Sequence, residues 1–154
     1  MTRTMSAIML VTAAGLLTAA VEKRRADADA LIAGRQAAFK LSGATFGGMK
    51  ATIDAGGDVT KLGFAAKALT DWAHALPGLF PAGSDGGATK ALPTVWSDRA
   101  GFEAAAAKYE TEARKLGDLA KAGDSAGVAA QWTVLRGACG ACHDRYRQPD
   151  KPRG

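Results

Sequence analysis

The sequence predicts an all-α fold, an antiparallel four-helix bundle, and three observations predict it. Of the 154 residues 47% are hydrophobic, with alanine supplying much of that fraction, and alanine favours helix over strand. Aromatic residues make up only 6%, and β-branched residues are few and scattered. Apolar residues recur at three- and four-residue steps in four segments joined mostly by short turns, the pattern of an antiparallel bundle.

The first helix is expected from Asp29 to Asp54, where Gly56-Gly57 stops it. Ile32, Phe39, Phe46 and Ile53 recur every seven residues, and Met49 and the charged Arg35 fall on adjoining positions of that stripe. The second helix begins near Asp58 as N-cap, buries Leu62, Ala66, Leu69, Ala73 and Leu76, and ends at Pro77. Residues 77 to 96 hold three prolines and several glycines, including Gly86-Gly87, which predicts a long irregular connection that is functional or crosses the end of the bundle. Ser97 is read as the cap of the third helix, whose inner face carries Phe102, Ala105, Tyr109, Ala113, Leu116 and Leu119. After a turn at Gly123-Asp124, the fourth helix carries Val128, Trp132, Leu135, Cys139, Cys142 and Tyr146 and ends before Pro149.

Residues 1–20 read as a signal peptide, with Arg3 ahead of an uncharged run from Met5 to Ala20 and Thr18-Ala19-Ala20 as the cleavage site. A second cut is available after Ala26-Asp27-Ala28. The run falls short of a membrane span, but Glu22-Lys23-Arg24-Arg25 follows it at once, so an uncleaved anchor is the alternative. The remaining organisation is an N-terminal segment 21–28, the bundle 29–148 and a tail 149–154. The formal net charge of +5 is not clustered as a nucleic-acid-binding stripe would be. It reads as a solvated surface or as a docking face for an acidic partner.

Cys139-Gly140-Ala141-Cys142-His143 is the string that carries chemistry. Two thiols at this spacing can add to the two vinyl groups of a haem, and the next residue presents an imidazole to the iron from the same helical turn. Gly140 and Ala141 are small, so a macrocycle can lie close to the backbone. Cys139 and Cys142 are the two cysteines of the chain, and covalent haem is assembled outside the cytoplasm, in agreement with the leader. A redox dithiol is the weaker reading because it calls for a strand-to-helix context, and zinc is weaker because it needs four ligands. For a sixth iron ligand the candidates outside the leader are Met49 and His74, whose default roles are core packing and a surface or capping histidine.

Three segments resemble the cytochrome c′ family: Cys139 to Arg147, reading CGACHDRYR; Trp96-Ser97-Asp98; and Arg35 to Lys40, reading RQAAFK. The resemblance runs from about residue 29 to 148. It implies one covalent haem c held by Cys139 and Cys142, with His143 as the proximal iron ligand. Phe39 falls where the family places the residue facing the distal side of the iron; in related low-spin cytochromes of the c-556 kind that position is a ligating methionine. Phenylalanine cannot bind iron, so the resemblance implies five-coordinate iron and a small apolar distal pocket. Arg35 resembles the family's propionate-side arginine, and Arg147 the arginine beside the proximal face. The plain alternatives are core packing for Phe39, a stripe-edge surface residue for Arg35 and a helix-end cation for Arg147. Trp96 and Tyr146 read as packing, and Lys40 as exposed.

The function these residues imply is that of a periplasmic haem protein that binds NO and CO, buffering or sequestering NO. A one-electron carrier with an acidic partner is the alternative. A peroxidase-like enzyme would want a distal base, which this pocket lacks. The resemblance further implies a homodimer formed through the first two helices, although the outward Lys50, Lys61 and Lys67 do not decide it.

Overall fold

A computed structural model describes residues 3–149, with side chains from residue 17 onward. Its helices are α1 (Arg3–Asp54), α2 (Gly63–Ala75), α3 (Thr94–Ser97), α4 (Arg99–Lys121) and α5 (Ser125–Tyr146). The 3₁₀ turns Val59–Leu62 and Leu76–Leu79 flank α2. Helices α1, α2, α4 and α5 form the four-helix bundle, in which α4 packs against both α2 and α5, while α1 approaches α5 sparsely.

The helix ends follow local chemistry. At the end of α1 the Gly56 amide reaches the Ile53 carbonyl at 3.0 Å and the Gly57 amide reaches Thr52 at 2.9 Å. This Schellman pair needs the left-handed backbone that Gly56 adopts at φ 63°. Gly123, at φ 73°, repeats the motif after α4, with its amide on Ala120 and that of Asp124 on Leu119. Asp124 then caps α5 through the Gly127 amide at 2.8 Å.

Three expected boundaries move. Helix α1 does not begin at Asp29 but runs unbroken from Arg3, because no glycine or proline interrupts residues 17–33 and Lys23 pairs with Asp27 one turn on at 3.0 Å. The residues of the expected leader are thus helical where described; residues 1 and 2, the side chains of 1–16 and residues 150–154 lie outside the described residues. Asp58 caps as expected, accepting from the Thr60 amide, but it caps a 3₁₀ turn that leads into α2. Ser97 is not the cap of the third long helix. It closes the short α3, and Asp98 caps α4 by accepting from the Gly101 amide at 3.3 Å. The Asp98 carboxylate also accepts from the Tyr146 hydroxyl and pairs with Arg145, both at 2.8 Å, which fixes the start of α4 against the end of α5.

The expected face of the second helix is buried throughout: Leu62, Ala66, Leu69, Ala73 and Leu76 are each at most 6% exposed. The core divides in two. One cluster is mainly aliphatic and includes Met49, Leu69, Leu116 and Leu135. Burying each such leucine contributes about 1.5–3 kcal/mol. The other is mainly aromatic, with Phe80, Phe102 and Tyr146 at its centre. The long connection crosses the end of the bundle, where the Leu92 amide bonds the Tyr146 carbonyl at 3.0 Å and the Gln148 amide bonds Lys90 at 2.8 Å.

Candidate functional site

A cavity of about 790 Å³ opens where α1 and α5 diverge, beside the aromatic cluster. Small residues make the room: Gly43 on α1, Ala105 and Ala106 on α4, and Ala138 and Gly140 on α5 all line it. Cys139, Cys142, His143, Arg35, Phe39 and Arg147, the six residues singled out from the sequence, all line this one cavity. They converge from both ends of the chain because α1 and α5 border the same space.

The cavity wall is largely apolar, and its electrostatics follow. Burial pushes the Cys139 thiol up, and it pushes the Cys142 thiol up to about 11, with Cys139 adding to the effect. Both are therefore neutral thiols at neutral pH in the unmodified chain. Burial, reinforced by Cys139, also raises the Tyr109 phenol, against a hydrogen bond with Ser42. Every Lys, Arg, Asp or Glu that lines the cavity is a cation: Arg35, Lys40, Lys90, Arg136 and Arg147. No carboxylate lines it among the described residues.

Arg35 is 3% exposed, and both terminal nitrogens of its guanidinium are engaged. One guanidinium nitrogen donates to the Leu79 carbonyl at 3.1 Å and to the Ser84 hydroxyl at 2.8 Å. The other donates to the Ser84 carbonyl at 2.7 Å and to the Thr89 hydroxyl at 2.6 Å. Its carbon lies 4.3 Å from the centre of the Phe80 ring, a cation–π contact. Burial lowers its pKa. Arg35 is thus no stripe-edge surface residue: it fastens the connection to α1. Phe39 meets Trp72 at 5.0 Å with perpendicular rings, and Phe80 at 6.4 Å.

Neither candidate sixth ligand lines the cavity. Met49 is 1% exposed in the aliphatic core. His74 is mostly exposed and lies 3.3 Å from Glu110, in a separate polar hollow between α2 and α4. Among the described residues, no methionine and no histidine other than His143 lines the cavity.

Sequence reasoning missed several lining residues. Ser42, Gly43 and Phe46 lie three, four and seven positions after Phe39, so helical spacing could have found them. Lys40 is exposed as expected, yet it belongs to the lining, and so does Tyr146. Phe80, Thr89, Lys90 and Ala91 come from the connection, whose path no periodicity encodes.

The space fits a haem. Its volume lies within the range of roughly 300–1,000 Å³ typical of cofactor sites. Its wall is apolar, two thiols and an imidazole reach it, and its all-cationic charged lining suits two propionate carboxylates. The sequence model of the family described as Cytochrome C′ matches residues 30–147. Cytochrome c′ of Rubrivivax gelatinosus is 38% identical over 122 residues, covering 74% of this chain and 91% of that protein. A cytochrome c-556 of Agrobacterium tumefaciens (strain B2A) is 40% identical over 92 residues, covering 58% of this chain and 66% of that protein. The crystal structure of the Rubrivivax gelatinosus cytochrome c′ superposes with a TM-score of 0.69 at 34% identity, over 77% of this chain and 94% of that one. A nitric oxide complex of a variant cytochrome c′ from Alcaligenes xylosoxidans superposes with a TM-score of 0.72 at 27% identity, over 80% of this chain and 97% of that one.

Proposed function

The chain belongs to the cytochrome c′ family and binds haem c, and from that premise we propose that it is a gas-binding haem protein that takes up NO and CO and buffers NO. The observation that carries this reading is a cavity holding Cys139, Cys142 and His143 with, among the described residues, no methionine and no second histidine in its lining. When bound, the haem supplies an iron that can take up a small gas and can exchange one electron. Cys139 and Cys142 would hold the group through thioether bonds, and His143 would supply a nitrogen ligand to its iron. Phe39 walls the distal side. Its ring offers no hydrogen bond, so it gives little help to a polar oxygen adduct and hinders entry by bulk. Arg35 holds the connection closed on the propionate side and keeps positive charge in the wall. Arg147 lies one helical turn beyond His143 and sets the charge on the proximal side. The nitric oxide complex of the similar Alcaligenes xylosoxidans protein supports NO as a ligand.

Titration of the ferrous protein with NO, CO and oxygen tests the reading. The expected outcome is tight NO binding, weaker CO binding and no stable oxygen adduct. A stable oxygen adduct would contradict it.

One observation favours electron transfer as a second role: Lys40, Lys90, Arg136 and Arg147, which line the cavity, are all exposed. An acidic partner would meet positive charge beside the haem, and the exchange rate would then fall steeply with ionic strength. We place the protein in the periplasm on the leader-like residues 1–20 and the extracytoplasmic assembly of haem c. Among the described residues no helix is long and apolar enough to cross a membrane.

A further inference from the structure

Three tryptophans lie in the chain, and they differ in one respect. The Trp96 indole N–H donates to the Pro81 carbonyl at 3.0 Å, and that of Trp132 donates to the Phe46 carbonyl at 3.2 Å. Trp72 Nε1 is sealed from solvent and has no acceptor, alone in this among the buried side-chain nitrogen and oxygen atoms of the described residues. A buried donor without a partner is destabilising, so its surroundings call for an explanation. Its neighbour is Phe39, with ring centres 5.0 Å apart and planes perpendicular. In that arrangement the edge of one ring faces the π cloud of the other, where an indole N–H carried on the edge would find a weak acceptor.

We propose that Trp72 is the positioning residue for Phe39: its indole edge bears on the Phe39 ring and holds that ring at the cavity wall, which fixes the barrier a gas must pass. A second ring braces Phe39 as well. Phe39 meets Phe80 at 6.4 Å, and Phe80 is held by the Arg35 guanidinium at 4.3 Å and by the Phe102 ring at 5.0 Å. Phe39 therefore has two aromatic neighbours on different segments, one in the second half of α2 and one in the connection. Phe39 lines the cavity and Trp72 does not, so Trp72 acts on an incoming ligand through its neighbours, and Phe39 is the lining ring it meets edge to face. The inference rests on the gas-binding reading, in which Phe39 is the distal wall.

A double-mutant cycle read by CO association to the ferrous holoprotein separates the two claims. Phe39→Ala is expected to speed CO association by about tenfold or more, and an unchanged rate would overturn Phe39 as the distal wall in the gas-binding reading and this inference with it. Trp72→Leu, which lets Phe39 retreat into vacated space, is expected to speed it by roughly tenfold in the parent. In the Phe39→Ala background the same change is expected to alter the rate by less than about twofold. A comparable acceleration in both backgrounds, or none in the parent, would overturn the positioning role and leave the distal wall standing. Trp72→Phe keeps a ring against Phe39 and covers the case in which the leucine variant does not fold; its rate is expected to stay within about threefold of the parent, and a tenfold rise would count against the proposal. Hydrogen exchange of the Trp72 indole proton, followed by NMR in the ferrous CO form, gives a readout apart from ligand binding. It is expected to be slow in the parent and at least about tenfold faster in Phe39→Ala, and equal rates would show that Phe39 is not its cover.

Discussion

At the scale of single residues, the site depends on which side chains can reach the iron. Phe39 stands at a helical register where a thioether would reach the same space, and among the described residues the lining holds no methionine and no histidine other than His143. Phe39→Met is therefore expected to convert the haem toward six-coordinate low-spin iron, seen as a sharpened, red-shifted Soret band in the ferric protein. An unchanged high-spin spectrum would show that position 39 does not face the iron. That Cys139, Cys142 and His143 share one cavity was legible because they lie within five residues of one another on a helix, so spacing alone encodes their geometry. Arg35 was less legible. Its place on the buried stripe marked it, but its acceptors at Leu79, Ser84 and Thr89 belong to a segment with no periodic signal. The donor left unpaired on Trp72 could not have been read at all, since it depends on which rings meet in three dimensions.

At the scale of elements, the clasp between α4 and α5 sets the cavity's far edge. Asp98 caps α4 and accepts from the Tyr146 hydroxyl, so one carboxylate ties two helix ends. The Tyr146 hydrogen bond is the largest of the influences that lower the Asp98 pKa, with Arg145 contributing in the same direction. A carboxylate whose folded pKa is lowered contributes stability that is present above its usual range and lost as pH falls through the lowered value. Thermal stability should therefore drop on acidification from about pH 5 to about pH 3, and Asp98→Asn should flatten that drop. An equal drop in the variant would remove Asp98 from the explanation. Gly101 sits inside the same clasp, where a Cβ would collide with both the Asp98 carboxylate and the Tyr146 hydroxyl. Gly101→Ala is expected to cost about 1–3 kcal/mol in chemical denaturation, despite alanine's better helix propensity. The buried faces of α2, α4 and α5 were visible in the sequence because period and burial coincide. The starts of α1 and α4 were not. Nothing in the residues before Asp29 breaks a helix, and the choice between adjacent caps at Ser97 and Asp98 is settled by Tyr146 and Arg145, nearly fifty residues away.

At the scale of the molecule, the bundle is a scaffold with a gap. Helix α4 binds α2 and α5 into a packed unit, and the aliphatic core closes one part of it. Between α1 and α5, small residues leave the space in which we place the cofactor. The fold class was readable because four apolar stripes and short turns admit few arrangements, whereas the volume of the gap depends on how α1 leans, which no local pattern specifies. We expect the molecule to pair through its first two helices, where Leu41 and Phe64 are 69% and 86% exposed. Sedimentation should then report a dimer, and Phe64→Lys should shift it to monomer by placing a charge in an apolar contact. A monomeric parent would refute the pairing and leave the haem site untouched.

The central claim is a haem bound covalently to α5 whose iron keeps one axial position open beneath Phe39. The resonance Raman spectrum of the resting ferric holoprotein tests it most directly. The marker bands of high-spin five-coordinate iron are expected, with thioether-linked porphyrin retained after acid extraction. Low-spin six-coordinate bands in the untreated protein, or porphyrin released by the extraction, would contradict it.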